Sequence, residues 1–473
     1  MRPNIVWIVL DTARADALEP YGAAPGSSAA IADLARRGAA LPDVRSTACW
    51  TLPAHVSMFA GGLPRQLGLA DQAGINPFTA RPIVEALRER WIVELLRRSG
   101  YRTSGVSANS WVSEHSGFAM GFDRFENASS ARQAKMSSET KAARIKWLAE
   151  AARARVDDGA RDAERHLRSW LADLTPDPFF WFVNLVECHS PYLPPKPYAE
   201  LSVARRVTAA REARAHLTMA EFWRVCVTGD IPSPEELDRM RAGYRGAIRY
   251  MDDWLARLLE ALDTARVLDD TLVIVSSDHG ENFGEAGLIG HGFSLDERLI
   301  KVPFVAAGPG ADHLGGLRSL AEVPGRLAEL AALDGHPYDR ADVPSVAVAQ
   351  FDSPAPPRDD PRTQTAIAMW GLDEAAAQLM TTPQTALVDG NVKLVLRGGA
   401  ETFYDLDADL LELAPLSAQD VDPVAAGRLR EAAAHPSVLA SEATLNRSGA
   451  PPPQGTAEEI AGLEDRMRLL GYL

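Results

Sequence analysis

The chain has 473 residues, which at roughly 150 residues per domain points to two or three domains. Hydrophobic residues make up 46% and charged residues 24%, a globular balance that excludes a largely disordered chain. The 64 acidic against 49 basic residues give a formal net charge of -15, which argues against a general nucleic-acid binder and leaves a small anionic substrate open.

Three cysteines, Cys49, Cys188 and Cys226, are too few and too scattered for a disulfide scaffold or a CxxC metal site. Residues 5–10 are apolar, within a stretch 4–10 that ends at Asp11. The run is far short of the ~20 residues that span a bilayer, and it lacks the length and cleavage site of a signal peptide. It is predicted to be a buried central strand. No later segment is a membrane span by the same measure, so the expectation is a cytoplasmic protein with no membrane contact.

Helical spacing predicts helices over 28–38 and 52–59, the second tolerating Pro53 in its first turn, and a long periodic stretch over 81–98 closed by Gly100. Strands follow at 101–106 and 179–186, with a charged, alanine-rich helical region over 141–174 between them. A partly helical insertion is expected over 201–230. Residues 233–262 carry helix-start signals: Ser233 as cap, Pro234 just inside, then two glutamates. Strands at 271–276 and 302–307 precede a helix over 320–333, whose start Pro324 sets. This alternation predicts an α/β fold, a large mostly parallel central sheet flanked by helices.

Four prolines within 351–362 mark a junction. The domain reading is therefore a large domain over 1–345, a proline-rich junction over 346–364, and a small C-terminal sheet-and-helix subdomain over 365–473. That subdomain is expected to hold strands at 385–388, 392–396 and 401–404 and a helix over 424–435. A loose linker over 446–454 and a final amphipathic helix over 456–470 close the chain.

In open α/β sheets, ligands bind beyond the carboxyl ends of strands. Asp11 and the adjacent Asp278–His279 both sit at such ends, and carboxylate oxygen with imidazole nitrogen suits zinc or manganese. Helix or turn capping is the competing reading of each aspartate. Thr51 precedes a helix whose amides favour anionic oxygens, and a metal lowers the pKa of a coordinated hydroxyl. Capping competes here too. His55 is either a packing histidine or a phosphate contact. His189, after the 179–186 strand, and His291, between Gly290 and Gly292, are suited to anion binding or proton transfer.

Together these residues resemble the sulfatase-like branch of the alkaline phosphatase superfamily. The resemblance runs through PNIVWIVLDTARAD, STACWTLPAHVSMFAGGLP, SANSWVSEHSGF, FVNLVECHSPY, YRGAIRYMDDWLARLLEAL, VIVSSDHGENFG, GHG and KVPFVAAGPG, then VKLVLRGGAETFYDLDAD and the terminal MRLLGYL. It implies an alkaline phosphatase-like catalytic domain with a smaller C-terminal sheet domain. It places Asp11, Thr51, Asp278 and His279 at a divalent metal site, with Thr51 also the nucleophile. His55, Asn109, His189 and His291 fall where substrate contacts lie, and Arg14 and Asp16 support the first loop.

The departures from the family pattern shape the functional expectation. Ordinary sulfatases carry CxPxR, whose cysteine becomes formylglycine. Here the segment reads Thr51-Leu52-Pro53-Ala54-His55, with Cys49 displaced by two residues. Thr12 replaces a second early aspartate, and Asp278–His279 replaces the frequent aspartate–asparagine pair. These changes resemble the phosphodiesterases, phosphonate monoester hydrolases and phosphoglycerol transferases of the superfamily. The expectation is a metal-dependent hydrolase of phosphorus esters (phosphodiester, phosphonate monoester or phosphomonoester) working through Thr51 on a small anionic ester. One zinc or manganese site is favoured, with a second possible through His189 and His291. A sulfatase acting without formylglycine is the first alternative. A phosphoryl-group transferase or a noncatalytic metal-dependent binding protein is the second.

Overall fold

The computed structural model describes residues 2–440 apart from 70–74, 76, 129–140, 216–218, 340–342, 353–354 and 418. The linker and helix expected over 446–470 lie outside the described residues.

The central sheet is built from β1 (Asn4–Leu10), β2 (Ala39–Ala40), β3 (Arg102–Ser107), β4 (Arg124–Asn127), β5 (Phe179–Leu185) and β6 (Thr271–Ser276). After a short hairpin of β7 (Asn282–Phe283) and β8 (Ile289–Gly290), β9 (Phe304–Ala307) completes it. The order is β2-β9-β6-β1-β5-β3-β4. Strands β6, β1, β5, β3 and β4 run parallel, and β9 is antiparallel to its neighbours β6 and β2. The mixed, mostly parallel sheet expected from the strand–helix alternation is therefore present.

Strand β1 is apolar on both faces because helices cover both. Ile5, Trp7 and Val9 enter one core layer with Val56, Phe59, Leu96 and Leu327. Val6, Ile8 and Leu10 enter the other with Ile31, Leu167, Trp254 and Leu258. The period of two along the strand thus sends alternate side chains to opposite helical layers. The long helix Pro234–Thr264 starts as expected, with the Ser233 side chain accepting from the Glu236 amide.

Two stretches read as helical are each divided. Residues 81–98 divide into Pro77–Ala86, a 3-10 turn Arg88–Arg90 and Ile92–Arg98. Trp91 leaves helical geometry at φ -89°, ψ 109° and inserts its fully buried ring against Phe59, centroids 4.9 Å apart. Burying that ring outweighs continuing the helix. Residues 141–174 divide into Lys141–Arg153 and Ala160–Ala172. Ala154 sits at φ 49° between them, and Asp157 accepts from the Gly159 and Arg161 amides. Strand β9 begins two residues later than expected, after Pro303, which has no amide to donate. The 320–333 stretch is a 3-10 turn Leu320–Glu322 followed by the helix Val323–Leu330, with its proline in the first turn.

The C-terminal sheet is antiparallel, in the order β10 (Ala347–Phe351), β11 (Gln384–Asp389), β12 (Val392–Arg397) and β13 (Ala400–Asp405). The helix Pro423–Ala433 covers it, packing Ala426 and Leu429 against Leu387 and Leu394. Strand β10 comes from the stretch read as a junction. No described helix is long and apolar enough to cross a membrane.

A wholly buried lysine of β12 ties the C-terminal sheet to the segment between β8 and β9. Lys393 Nζ donates to Leu295 O at 2.6 Å and to Glu412 Oε1 at 2.9 Å, with Glu297 Oε1 at 3.3 Å. Arg45 reaches the other oxygen of Glu297 at 3.0 Å. Removing one partner of a buried charge cluster leaves the rest uncompensated, at a cost of about 3–5 kcal/mol. Lys393→Met is expected to lose about 3 kcal/mol or more of unfolding free energy in urea titration. Unchanged stability would mean that this cluster does not hold the C-terminal sheet to the 295–297 segment.

Candidate active site

Four neighbouring parallel strands deliver side chains to one edge of the sheet. Asp11 follows β1, Asn109 follows β3, His189 follows β5, and Asp278–His279 follow β6. The register aligns these ends: Val9 pairs with Ser276, Leu10 with Leu185, and Ser107 with Asn184. Thr51 opens the helix Thr51–Ala60, and His55 lies one turn further along it.

Asp11, Thr51, Asn109, Asp278 and His279 are all at most 1% exposed. Asn109 Nδ2 donates to Asp11 Oδ2 at 2.7 Å and to Thr51 Oγ1 at 3.3 Å. His279 Nε2 lies 3.4 Å from Thr51 Oγ1 and 3.3 Å from Asp278 Oδ2. His279 Nδ1 donates to the Gly280 carbonyl at 3.0 Å. A carbonyl only accepts, so Nδ1 carries the proton and Nε2 keeps the lone pair that a metal ion would take.

Among the described residues, one cluster gathers three metal-ligating atoms within 4.8 Å of one another: Asp11, Asp278 and His279. Asp11 Oδ1 and Asp278 Oδ2 are buried without a hydrogen-bond partner. Buried anionic oxygens require a compensating partner, and two carboxylates with an imidazole form a zinc- or manganese-type donor set. The residues present therefore fit a divalent metal. Burial, with the charge of Asp278 adding to it, pushes the Asp11 carboxyl up to about 7. Burial acts in the same direction on Asp278, but His279 and His55 outweigh it and hold that carboxyl below the usual range.

The first loop is rigidly held. Thr12 adopts φ 62°, an uncommon conformation for a β-branched residue. Its amide donates to Asp278 Oδ1 at 3.3 Å and its carbonyl accepts from Tyr244 Oη at 2.9 Å. Arg14 donates to Asp16, to Glu285 Oε1 at 2.8 Å and to the Glu281 carbonyl at 3.1 Å. Arg14 and Asp16 thus lie in the loop's scaffold and are not among the clustered metal-ligand candidates.

The other histidines take different positions. His55 is wholly buried, edge-on to Phe118 and Phe182. Its Nδ1 donates to the Thr51 carbonyl at 3.0 Å and lies 3.4 Å from Asp278 Oδ2, so its visible contacts are with the nucleophile candidate and a metal-ligand candidate. His291 lies with its ring centroid 4.6 Å from that of His279 and 4.9 Å from that of His189. Glu187, two residues before His189, is turned away and accepts from the Ala160 amide at 2.8 Å.

Sequence reasoning missed Glu281 and Tyr192. Glu281 is wholly buried; it accepts from His291 Nδ1 at 2.9 Å and from Tyr192 Oη at 2.7 Å. Its signal was an acidic residue two places after His279, in a stretch otherwise read for its metal ligands. Cys49 lies in the apolar core, where burial pushes its thiol far above the ordinary value.

A sulfatase family model matches residues 3–316, well over half of the chain. Choline-sulfatase of Rhizobium meliloti is 32% identical over 201 residues, covering 40% of this chain and 35% of that protein. The multifunctional alkaline phosphatase superfamily protein PehA of Trinickia caryophylli is 28% identical over 156 residues, covering 29% and 30%. The matched stretches thus span about a third of the length of these curated relatives. The solved phosphonate monoester hydrolase of Agrobacterium radiobacter shares the fold at a TM-score of 0.61 and 20% identity, covering 91% of this chain and 94% of that one. With the sheet, the strand-end carboxylates and the family match in agreement, the chain belongs to the sulfatase family, whose hydrolases are metal-dependent.

Proposed function

We propose that this protein hydrolyses phosphorus esters through a covalent Thr51 intermediate. One observation carries the reading. The Thr51 hydroxyl opens a helix beside Asp11, Asp278 and His279, while the nearest cysteine in sequence, Cys49, is sealed in the core. Formylglycine chemistry needs an oxidisable cysteine at the nucleophile position, and this chain carries threonine there. The phosphonate monoester hydrolase and PehA likenesses agree with phosphorus as the reacting centre.

Asp11, Asp278, His279 and Thr51 would hold one divalent ion, zinc or manganese by donor type. When bound, such an ion supplies positive charge to anionic oxygens and lowers the pKa of the threonine hydroxyl. Asn109 holds Thr51 Oγ1 and Asp11 in one geometry through its two donated bonds. Thr51 Oγ1 attacks phosphorus in line with the departing oxygen. The helix N-terminus behind Thr51 favours the negative charge that gathers on the phosphoryl group. His189 and His291 neutralise charge or exchange protons on the leaving side. Water then releases the group from Thr51. The substrate is a small anionic ester.

Sulfuryl transfer is the rival reading, favoured by the choline-sulfatase relative. A turnover panel sharing one aryl leaving group decides between them. Phosphate monoester, phosphate diester and phosphonate monoester are expected to outpace the sulfate ester on protein reloaded with zinc or manganese. Dominant sulfate turnover would reject the phosphorus reading.

Thr51→Ala is expected to lower kcat by more than ~10³-fold with circular dichroism unchanged. Retained turnover would remove Thr51 as nucleophile. Cys49→Ala, by contrast, is expected to keep wild-type kcat, and mass mapping of the parent is expected to find an unmodified thiol. A formylglycine aldehyde at position 49, or lost turnover in that variant, would contradict the assignment. Asp278→Asn is expected to weaken zinc or manganese binding at least ~10-fold by calorimetry on stripped protein. Unchanged affinity would place the metal elsewhere.

A further inference from the structure

We propose that Glu281 and Tyr192 are positioning residues that fix His291 as proton donor to the leaving oxygen, fitting the enzyme to esters of unactivated alcohols. This rests on the reading of the site as an ester hydrolase, and it holds whether the reacting centre is phosphorus or sulfur.

Glu281 is wholly buried, and both its oxygens are used: Oε1 toward His291 Nδ1 at 2.9 Å, Oε2 toward Tyr192 Oη at 2.7 Å. An ionised carboxylate only accepts, so the hydrogen on this side of His291 sits on Nδ1. The ring's other nitrogen is Nε2, and the ring lies beside those of His279 and His189, with centroids 4.6 and 4.9 Å away. A carboxylate behind an imidazole fixes its tautomer and orientation and stabilises the imidazolium, the arrangement that catalytic histidines use in unrelated folds.

The surroundings hold Tyr192 for this task. Its backbone is at φ 50°, a strained conformation for a bulky residue. The helix Pro234–Thr264 approaches it at Gly243, where a Cβ would lie 2.1 Å from the Tyr192 carbonyl oxygen. The tyrosine ring is packed against Phe283 and Tyr244, with centroids 5.3 and 5.9 Å away. On the other side, Gly290 leaves room for Phe222, which a Cβ there would meet at 2.6 Å. His291 is thus carried on a loop clamped from both directions. Burying a carboxylate is costly unless it is paired, so a structure that merely needed a filled core would place an apolar residue at Glu281.

In the proposed step, the Thr51 Oγ1–P bond forms as the P–O bond to the leaving group breaks. The proton on His291 Nε2 moves to the departing oxygen, which leaves as a neutral alcohol. In the second half, water attacks phosphorus and returns its proton to His291 Nε2. The P–Oγ1 electron pair returns to Thr51, which enters and leaves the cycle deprotonated. An aryl leaving group is stable as its anion and needs little of this help, whereas an alkyl alcohol needs it fully.

The test compares alkyl and para-nitrophenyl esters of one phosphonate, using metal-loaded Glu281→Gln, Tyr192→Phe and His291→Gln. The expected result is a ~10²-fold or greater loss of kcat/KM on the alkyl ester for Glu281→Gln and His291→Gln, with the aryl ester within about tenfold of the parent. Tyr192→Phe should shift the same ratio in the same direction by less. Equal losses on both esters, or none, would overturn the proposal, because a purely structural role does not discriminate leaving groups. If Glu281→Gln does not fold, an unchanged ratio in Tyr192→Phe overturns it alone. If the enzyme prefers sulfate, the same comparison is read on alkyl and aryl sulfates. Thr51→Ala inactivates both esters alike, so failure of the nucleophile assignment is seen separately.

Discussion

Two carboxylates with no solvent exposure stand at the ends of adjacent strands. Asp11 follows β1 and Asp278 follows β6, with β1 and β6 in direct parallel register. Like charges brought together out of water are unfavourable unless something positive lies between them. The chain supplies part of the answer itself: Asn109 donates to Asp11 Oδ2, and the backbone amides of Thr12 and His279 donate to Asp278 Oδ1. Asp11 Oδ1 and Asp278 Oδ2 remain without hydrogen-bond partners. With His279, their donor set fits a divalent cation.

Support for these groups extends well beyond the sheet edge. Gly280 donates its amide to Leu299 O at 2.8 Å, and a Cβ at this position would meet Arg298 O at 1.8 Å. The strand-end loop that carries Asp278, His279 and Glu281 is therefore pressed against residues 298–299. Those residues follow Leu295 and Glu297, which Lys393 of β12 ties to the C-terminal sheet. On the nucleophile side, Gln350 of β10 donates its amide to the Thr47 carbonyl at 2.8 Å, close to Thr51 in sequence. The small sheet thus braces both the loop that carries the candidate metal ligands and the segment that leads to the threonine. Rigid support of this kind keeps reacting groups within the narrow tolerance that catalysis requires.

Much of this was legible in the residues. The apolar runs at β1, β5 and β6 announce strands buried on both faces, and their terminal Asp11, His189 and Asp278–His279 announce a site at the carboxyl edge. Helix breaks were less legible. Trp91 interrupts a periodic stretch because a tertiary pocket beside Phe59 takes its ring, and local spacing carries no record of that pocket. Glu281 was hidden for a related reason: its meaning depends on Tyr192, 89 residues away in sequence, and on the loop of His291. His55 shows the converse limit. One turn of helix brings it close to Thr51, but only the packed structure sets it between that residue, Asp278 and two phenylalanine rings.

Thr51, unmodified, is the residue proposed to form the covalent bond to the substrate. This role is tested most directly by quenching metal-loaded enzyme in acid during turnover of a phosphonate or phosphate ester and mapping the modified peptide by mass spectrometry. The phosphoryl or phosphonyl group is expected on Thr51, with Cys49 intact as a thiol. A group on any other residue, or a formylglycine adduct at position 49, would contradict it.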